Sequence, residues 1–216
     1  MRGMSRVRER GDTLIEVLFA ITVFSLVAVG ALSIMNQGVS TAQRSLEISL
    51  AREQMDAQAE ALRFMNRSYV ANYTDDKSVA DYTNNGTPTA ASRWKEVSSD
   101  PAITQPASEF ARLNEGECPK PTDLPGGKAF VVNTNSTTLA LLQDPSQFLA
   151  VPATYAKLNT SATPVAEGLW VEAVRGEGED PTIGFIDFHI RACWESPGQA
   201  LPVTLGTIVR LYEPRG

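Results

Sequence analysis

Few residues in this chain are of types that do chemistry. There is one histidine, His189, and there are two cysteines, Cys118 and Cys193. His189 falls between Asp187 and Arg191 on the polar side of an alternating run, and nothing in the sequence sets a nucleophile beside it. It reads as a solvated surface histidine. Two cysteines and one histidine do not complete the four-ligand set of a structural zinc site. Glu177, Glu179 and Asp180 lie in a Gly-containing loop, 176–181, and offer oxygen ligands to a calcium ion. Their spacing matches no complete ligand loop, and solvation of the loop explains the same residues. No catalytic residue, cofactor or metal ligand is assigned. The two cysteines would pair outside a cell, where closing a loop of about 75 residues stabilises by ~4 kcal/mol in the chain-entropy account. The alternative is two unpaired buried thiols.

The remaining group is a carboxylate in an unusual place. Glu16 ends the stretch Gly11-Asp12-Thr13-Leu14-Ile15-Glu16 and opens an uncharged run from Val17 to Met35, softened only by Thr22, Ser25 and Ser33. At ~1.5 Å rise per residue, such a run crosses most of a ~30 Å hydrocarbon core. Arg2, Arg6, Arg8 and Arg10, against a single Glu9, precede it. Positive charge on that side holds the amino end in the cytoplasm and sends the rest of the chain outside. A carboxylate one turn into a membrane helix is costly unless it snorkels to the interface or meets a cation. An ordinary secretory signal has a shorter apolar core with a small-residue cleavage site after it. Here the apolar run is longer and no such site follows Met35 closely, so the helix is retained.

The basic leader, the Gly, the Thr-Leu-Ile-Glu and the apolar helix, in that order, resemble the cleavage and methylation signal of type IV prepilins and of the pseudopilins of secretion and competence systems. The resemblance is close over roughly the first 38 residues and loose beyond them. It implies a leader of residues 1–11, cleavage between Gly11 and Asp12 by a prepilin peptidase, and methylation of the new amino group on Asp12. The family usually places Phe or another apolar residue where this chain has Asp12. It also implies that Glu16 meets the amino terminus of a neighbouring subunit during assembly; snorkelling is the alternative. Related pilins often carry a proline in the membrane helix, whereas here Gly30 is the one interruption.

Residues 12–38 then form the transmembrane and assembly half of a long helix, and 39–67 its amphipathic half. From Gln43 to Met65 there is no Pro or Gly, and strong helix formers dominate. At ~100° per residue the apolar positions fall into two stripes. One holds Leu46, Leu50, Ala57, Ala61 and Phe64, and the other Ile48, Ala51, Met55, Ala59 and Leu62, with Glu47, Gln54 and Gln58 between them. Two stripes suit one face on the chain's own domain and one on neighbouring subunits; a single domain wrapping both is the other reading.

Residues 68–127 are rich in turn and loop signals, with a short helix allowed near Ala91–Val97 and enough aromatics for partial packing. Residues 128–216 read as a sheet. Strand candidates are Ala129–Val132, Leu169–Arg175, the alternating run around Ile186–Cys193 and a final one over Thr207–Tyr212; a short helix is expected from Asp144 through Val151. The last three strands form an antiparallel meander whose apolar face the helix covers. The fold class is α+β: a long N-terminal helix, half membrane-spanning and half amphipathic, packed on a C-terminal antiparallel sheet, as in pilins.

The formal charge is −6, and loss of the leader takes it to about −9. An acidic product argues against a broad nucleic-acid surface. The leading reading is a structural subunit, a minor pilin of a type IV pilus, whose partners are other pilin subunits, the peptidase, an assembly platform and membrane lipid before assembly. The alternatives are a secretion or competence pseudopilin and a single-pass anchored binding domain that never polymerises. An enzyme has almost no support.

Overall fold

A computed structural model describes residues 12–74, 77–101, 103–110, 118, 129–132, 139–141, 168–177, 184–194, 196 and 200–214; for 12, 13, 109, 139–141 and 177 it describes the backbone alone. The chain divides into two units, one up to Ser45 and one from Leu46 to Gly216. Helix α1, Asp12–Ala71, contributes to both.

In the first unit α1 presents an apolar surface, with Leu14 through Met35 exposed at every large hydrophobic position. Hydroxyls in this run donate back into the helix, Thr22 Oγ1 to the Phe19 carbonyl at 2.7 Å and Ser25 Oγ to the Ile21 carbonyl at 2.8 Å. Both polar groups are therefore satisfied without solvent, as a hydrocarbon environment demands.

In the second unit α1 stops at Ala71, where Asn72 donates its side-chain amide to the Ser68 carbonyl at 2.8 Å and so satisfies one orphan acceptor of the last turn. A 3-10 turn, Val79–Tyr82, follows. Asn85 and Gly86, both at positive φ, then close a tight turn bracketed by paired Asn84–Thr87 backbone bonds. Helix α2, Ala90–Ser99, begins with a reciprocal cap: the Thr89 N–H donates to Ser92 Oγ, and Thr89 Oγ1 accepts from the Ser92 N–H.

Strands β1 (Thr104–Pro106), β2 (Phe130–Val132), β3 (Leu139–Leu141), β4 (Gly168–Glu177), β5 (Gly184–Trp194) and β6 (Val203–Tyr212) form one sheet in the order β3-β2-β4-β5-β6. The three long strands are an antiparallel meander, with Ala173 opposite Phe188 and Phe188 opposite Val209. β1 lies off this path and pairs with β4 in parallel, which the loop-rich reading of 68–127 did not anticipate. The expected helix at Asp144–Val151 and most of the loop at 176–181 lie outside the described residues.

The inner face carries Val171, Ala173, Ile186, Phe188 and Ile190, which join Ala51, Met55, Ala59, Leu62 and Met65 of α1 in one core. Trp94 of α2 adds its ring, 5.6 Å from that of Phe188. Two polar side chains of α1 fasten the helix to the sheet. Gln58, fully buried, bonds the Val132 backbone of β2. The Glu47 carboxylate accepts from Trp194 Nε1 at 3.0 Å and from Ser196 Oγ at 2.7 Å.

The outer face differs from the solvated polar face that alternation alone predicts. Trp170 and Glu172 are each only 1% exposed, and Phe110 lies against His189 with ring centroids 4.3 Å apart. Cys193, also on this face, is joined to Cys118 by a disulfide, with S–S 2.09 Å. His189 is thus half-buried rather than solvated. Toward β6 the same face opens, leaving Ile208 and Tyr212 exposed.

Candidate assembly and processing site

Of the processing signal, Gly11 lies outside the described residues, and Asp12 is seen as the first residue of α1. Glu16 lies one turn further on, exposed, and is the one charged residue between Leu14 and Met35. Its carboxylate makes no hydrogen bond or ion pair among the described residues. Gly30 has open space where a side chain would stand and keeps its place in an unbroken helix.

Further along α1 the two stripes part company. Ala51, Met55, Ala59 and Leu62 are buried, and Ile48 is partly so. On the other stripe Leu46, Leu50 and Phe64 are 64%, 50% and 56% exposed, while Ala57 is intermediate and Ala61 is buried. One stripe is consumed by the chain's own sheet, and the large side chains of the other are left on the surface. Among the polar residues between the stripes, Gln58 and Glu47 fasten the sheet. Sequence showed only their polarity, not that each would face a buried donor.

No catalytic arrangement is present among the described residues. His189 is held below its ordinary value by burial and by Arg191, with Asp187 acting the other way. Asp187 is itself engaged by Arg210 through two bonds of 2.7 Å. Among the described residues no cluster of three or more acidic, histidine or cysteine side chains could hold a metal ion. Of the calcium candidates, Glu179 and Asp180 lie outside the described residues, and Glu177 is the last residue of β4.

Residues 6–32 match the family model described as the prokaryotic N-terminal methylation motif. No curated protein and no solved structure matches the chain. The matched stretch contains the basic residues Arg6, Arg8 and Arg10, the Gly11–Asp12 junction, Glu16 and most of the apolar run. One helix among the described residues is long and apolar enough to cross a membrane, and its apolar half follows that junction. Such a motif implies, in general terms, other pilins and a prepilin peptidase as partners. Together with the α+β architecture described above, this match over the N-terminal stretch supports a type IV prepilin-like protein.

Proposed function

We propose that this chain is a minor pilin of a type IV pilus. The leader is removed between Gly11 and Asp12, the new amino group on Asp12 is methylated, and the helix waits in the bilayer with its basic side inward. An assembly platform then draws it out and packs it among similar helices, with the second unit outside the cell. The role is structural rather than catalytic.

The observation that carries the filament reading is the division of the two stripes. A membrane-anchored domain that remained solitary has no use for Leu46, Leu50 and Phe64 in water, whereas a helix packed among its neighbours does. Glu16 supports the same reading. Cleavage creates an α-ammonium about one turn from this carboxylate and at similar depth, within reach of another subunit's Glu16. A pair at ~4 Å is worth ~4 kcal/mol at an effective dielectric of about 20, before desolvation is counted. That offsets part of the cost of holding a carboxylate in the membrane and fixes the stagger between helices.

Amino-terminal mass spectrometry of the purified filament should find Asp12 first, carrying a methyl group. Glu16→Ala should leave the protein in the membrane and sharply reduce its entry into filaments. An assembled chain that still begins at Met1, or unchanged incorporation of the alanine variant, would refute the proposal.

A further inference from the structure

Strand β6 ends the sheet on one side. Its register fixes which backbone groups it spends. In an antiparallel pair, alternate residues turn both N–H and C=O to the partner, and those between them turn both away. The Glu213 N–H donates to the Gly184 carbonyl at 2.9 Å, next to the Phe185–Tyr212 pair. Carried back along β6, that alternation gives Leu205, Thr207, Val209 and Leu211 to β5 and points Thr204, Gly206, Ile208 and Arg210 outward. Asn66 agrees: its side-chain amide donates to the Tyr212 carbonyl at 3.1 Å and so closes the edge at that end. All four outward residues are exposed, and their N–H and C=O groups meet no partner among the described residues.

Natural sheets blunt such an edge with proline, a bulge, a short strand or a charge set along it. β6 uses none of these. It is ten residues long and has no proline. It pairs with β5 one to one from Val203 to Tyr212, so it carries no bulge. Its single charge, Arg210, is turned back onto β5: the guanidinium makes two bonds of 2.7 Å to Asp187 and stands 3.9 Å from the centroid of the Phe185 ring. Ile208 and Tyr212 remain 60% and 56% exposed.

Donors and acceptors that repeat every second residue, ~6.8 Å apart over ~20 Å, are matched by an extended polypeptide. Beside this edge a cleft of about 220 Å³ lies between Arg52, Met55 and Asp56 of α1 and Leu205, Gly206 and Thr207 of β6. Met55 is buried and Leu205 half-buried, so the cleft suits an aliphatic side chain. Arg52 and Asp56 add one charge of each sign and so favour neither an anion nor a cation. Leu46, Leu50 and Phe64 do not line it, so this surface is separate from the stripe on which the filament reading rests. A second copy of β6 is a poor occupant. Antiparallel pairing of two β6 edges turns about a dyad through the sheet, and the α1 segments lying on the two sheets would run in opposite senses. Two chains anchored in one bilayer from the same side do not allow that.

We propose that the open edge of β6 is a docking site for an extended segment of a different polypeptide. The segment adds a strand beyond β6, bonds the backbone of Thr204, Gly206, Ile208 and Arg210, and sets one aliphatic side chain in the cleft between α1 and β6.

The test is titration of the full chain in detergent micelles with three short fluorescent peptides of equal length: alternating threonine and valine, polyproline, and a helix-forming alanine–lysine sequence. Only the alternating peptide should bind, since polyproline is extended but has no N–H to donate. Binding should slow amide exchange at Thr204, Gly206, Ile208 and Arg210 at least about tenfold and leave Leu205, Thr207 and Val209, already in the β5 ladder, unchanged. Ile208→Pro removes an outward N–H and spares the β5 ladder, so it should fold and bind at least about tenfold more weakly. Thr204→Pro, near the start of the strand, makes the same comparison if Ile208→Pro does not fold. Absence of binding by the alternating peptide would overturn the proposal. So would equal binding of either control peptide, unchanged exchange at the four outward amides, or unchanged affinity in the folded proline variant. Self-association of the parent chain that the proline variant abolishes would overturn it too, in favour of a second copy.

Discussion

Gln58 and Val132 complete a two-way hydrogen bond across 74 positions of sequence: the Gln58 side-chain amide donates to the Val132 carbonyl at 2.8 Å, and its oxygen accepts from the Val132 N–H at 2.8 Å. A helix side chain thus takes the place of a neighbouring strand for β2. Gln58→Leu would leave two buried backbone groups unpaired. Each costs about 1–3 kcal/mol, so the loss should be roughly 3 kcal/mol, or about 6–12 °C in melting temperature for a domain of this size. Thermal unfolding followed by circular dichroism checks it, and a drop of under about 2 °C would show that β2 finds other partners.

The two faces of α1 should respond to substitution in opposite ways. Leu62 is fully buried, and Leu62→Ala should cost about 2–5 kcal/mol. Leu50 and Phe64 are half exposed or more, so Leu50→Asp and Phe64→Asp should change stability by less than about 1 kcal/mol. The same two variants should nevertheless impair filament incorporation. Melting curves and the pilus fraction of cells, compared side by side, separate the effects.

Glu172 gives the outer face of the sheet a pH signature. Burial raises its carboxyl above the ordinary 4.5, while Arg191 and the hydrogen bond from Trp170 pull the other way. A group that holds its proton more tightly when folded stabilises most in acid, and that contribution is lost as pH rises from 4.5 through the folded value. Glu172→Gln has no charge to bury. Its stability relative to the parent should therefore improve steadily across that window. His189 has the opposite sign: lowered from 6.5, it contributes stability above that value and loses it as pH falls through the folded value. Carrying out the comparison in a His189→Gln background isolates Glu172, and a difference independent of pH would show that its carboxylate is not penalised.

Breaking the Cys118–Cys193 link should be felt across the whole second unit. The bond closes a separation of 75 residues, for which the chain-entropy account gives ~4 kcal/mol. The double serine variant should melt well below the parent in oxidising buffer, and a reducing agent should lower the parent's melting temperature but not the variant's.

What could be read before folding follows from the range of the signals. The processing stretch is linear, so leader, glycine, acid and apolar run are visible in order. Helix α1 and strands β5 and β6 announce themselves through a local period, as in the alternation from Ile186 to Cys193. β1 could not be seen, because three residues ending in Pro106 show no alternation and owe their pairing to β4, more than 60 residues away. The outer face was misread for a related reason. Alternation says which side a residue takes, and His189 does take the side opposite the core. It cannot say that Phe110 will lie over that side. Gln58 and Glu47 likewise looked like ordinary polar residues between two stripes, because their partners come from distant sequence.

The two fastenings of α1 have a mechanical consequence. Glu47 grips the end of β5 through Trp194, and Gln58, about three turns along, grips β2. Tension applied along that part of the helix reaches the sheet at two separate anchor points, and both must slip before the helix slides past the strands. Rod and sheet should therefore carry load as one body, and detachment should begin at whichever fastening is the weaker.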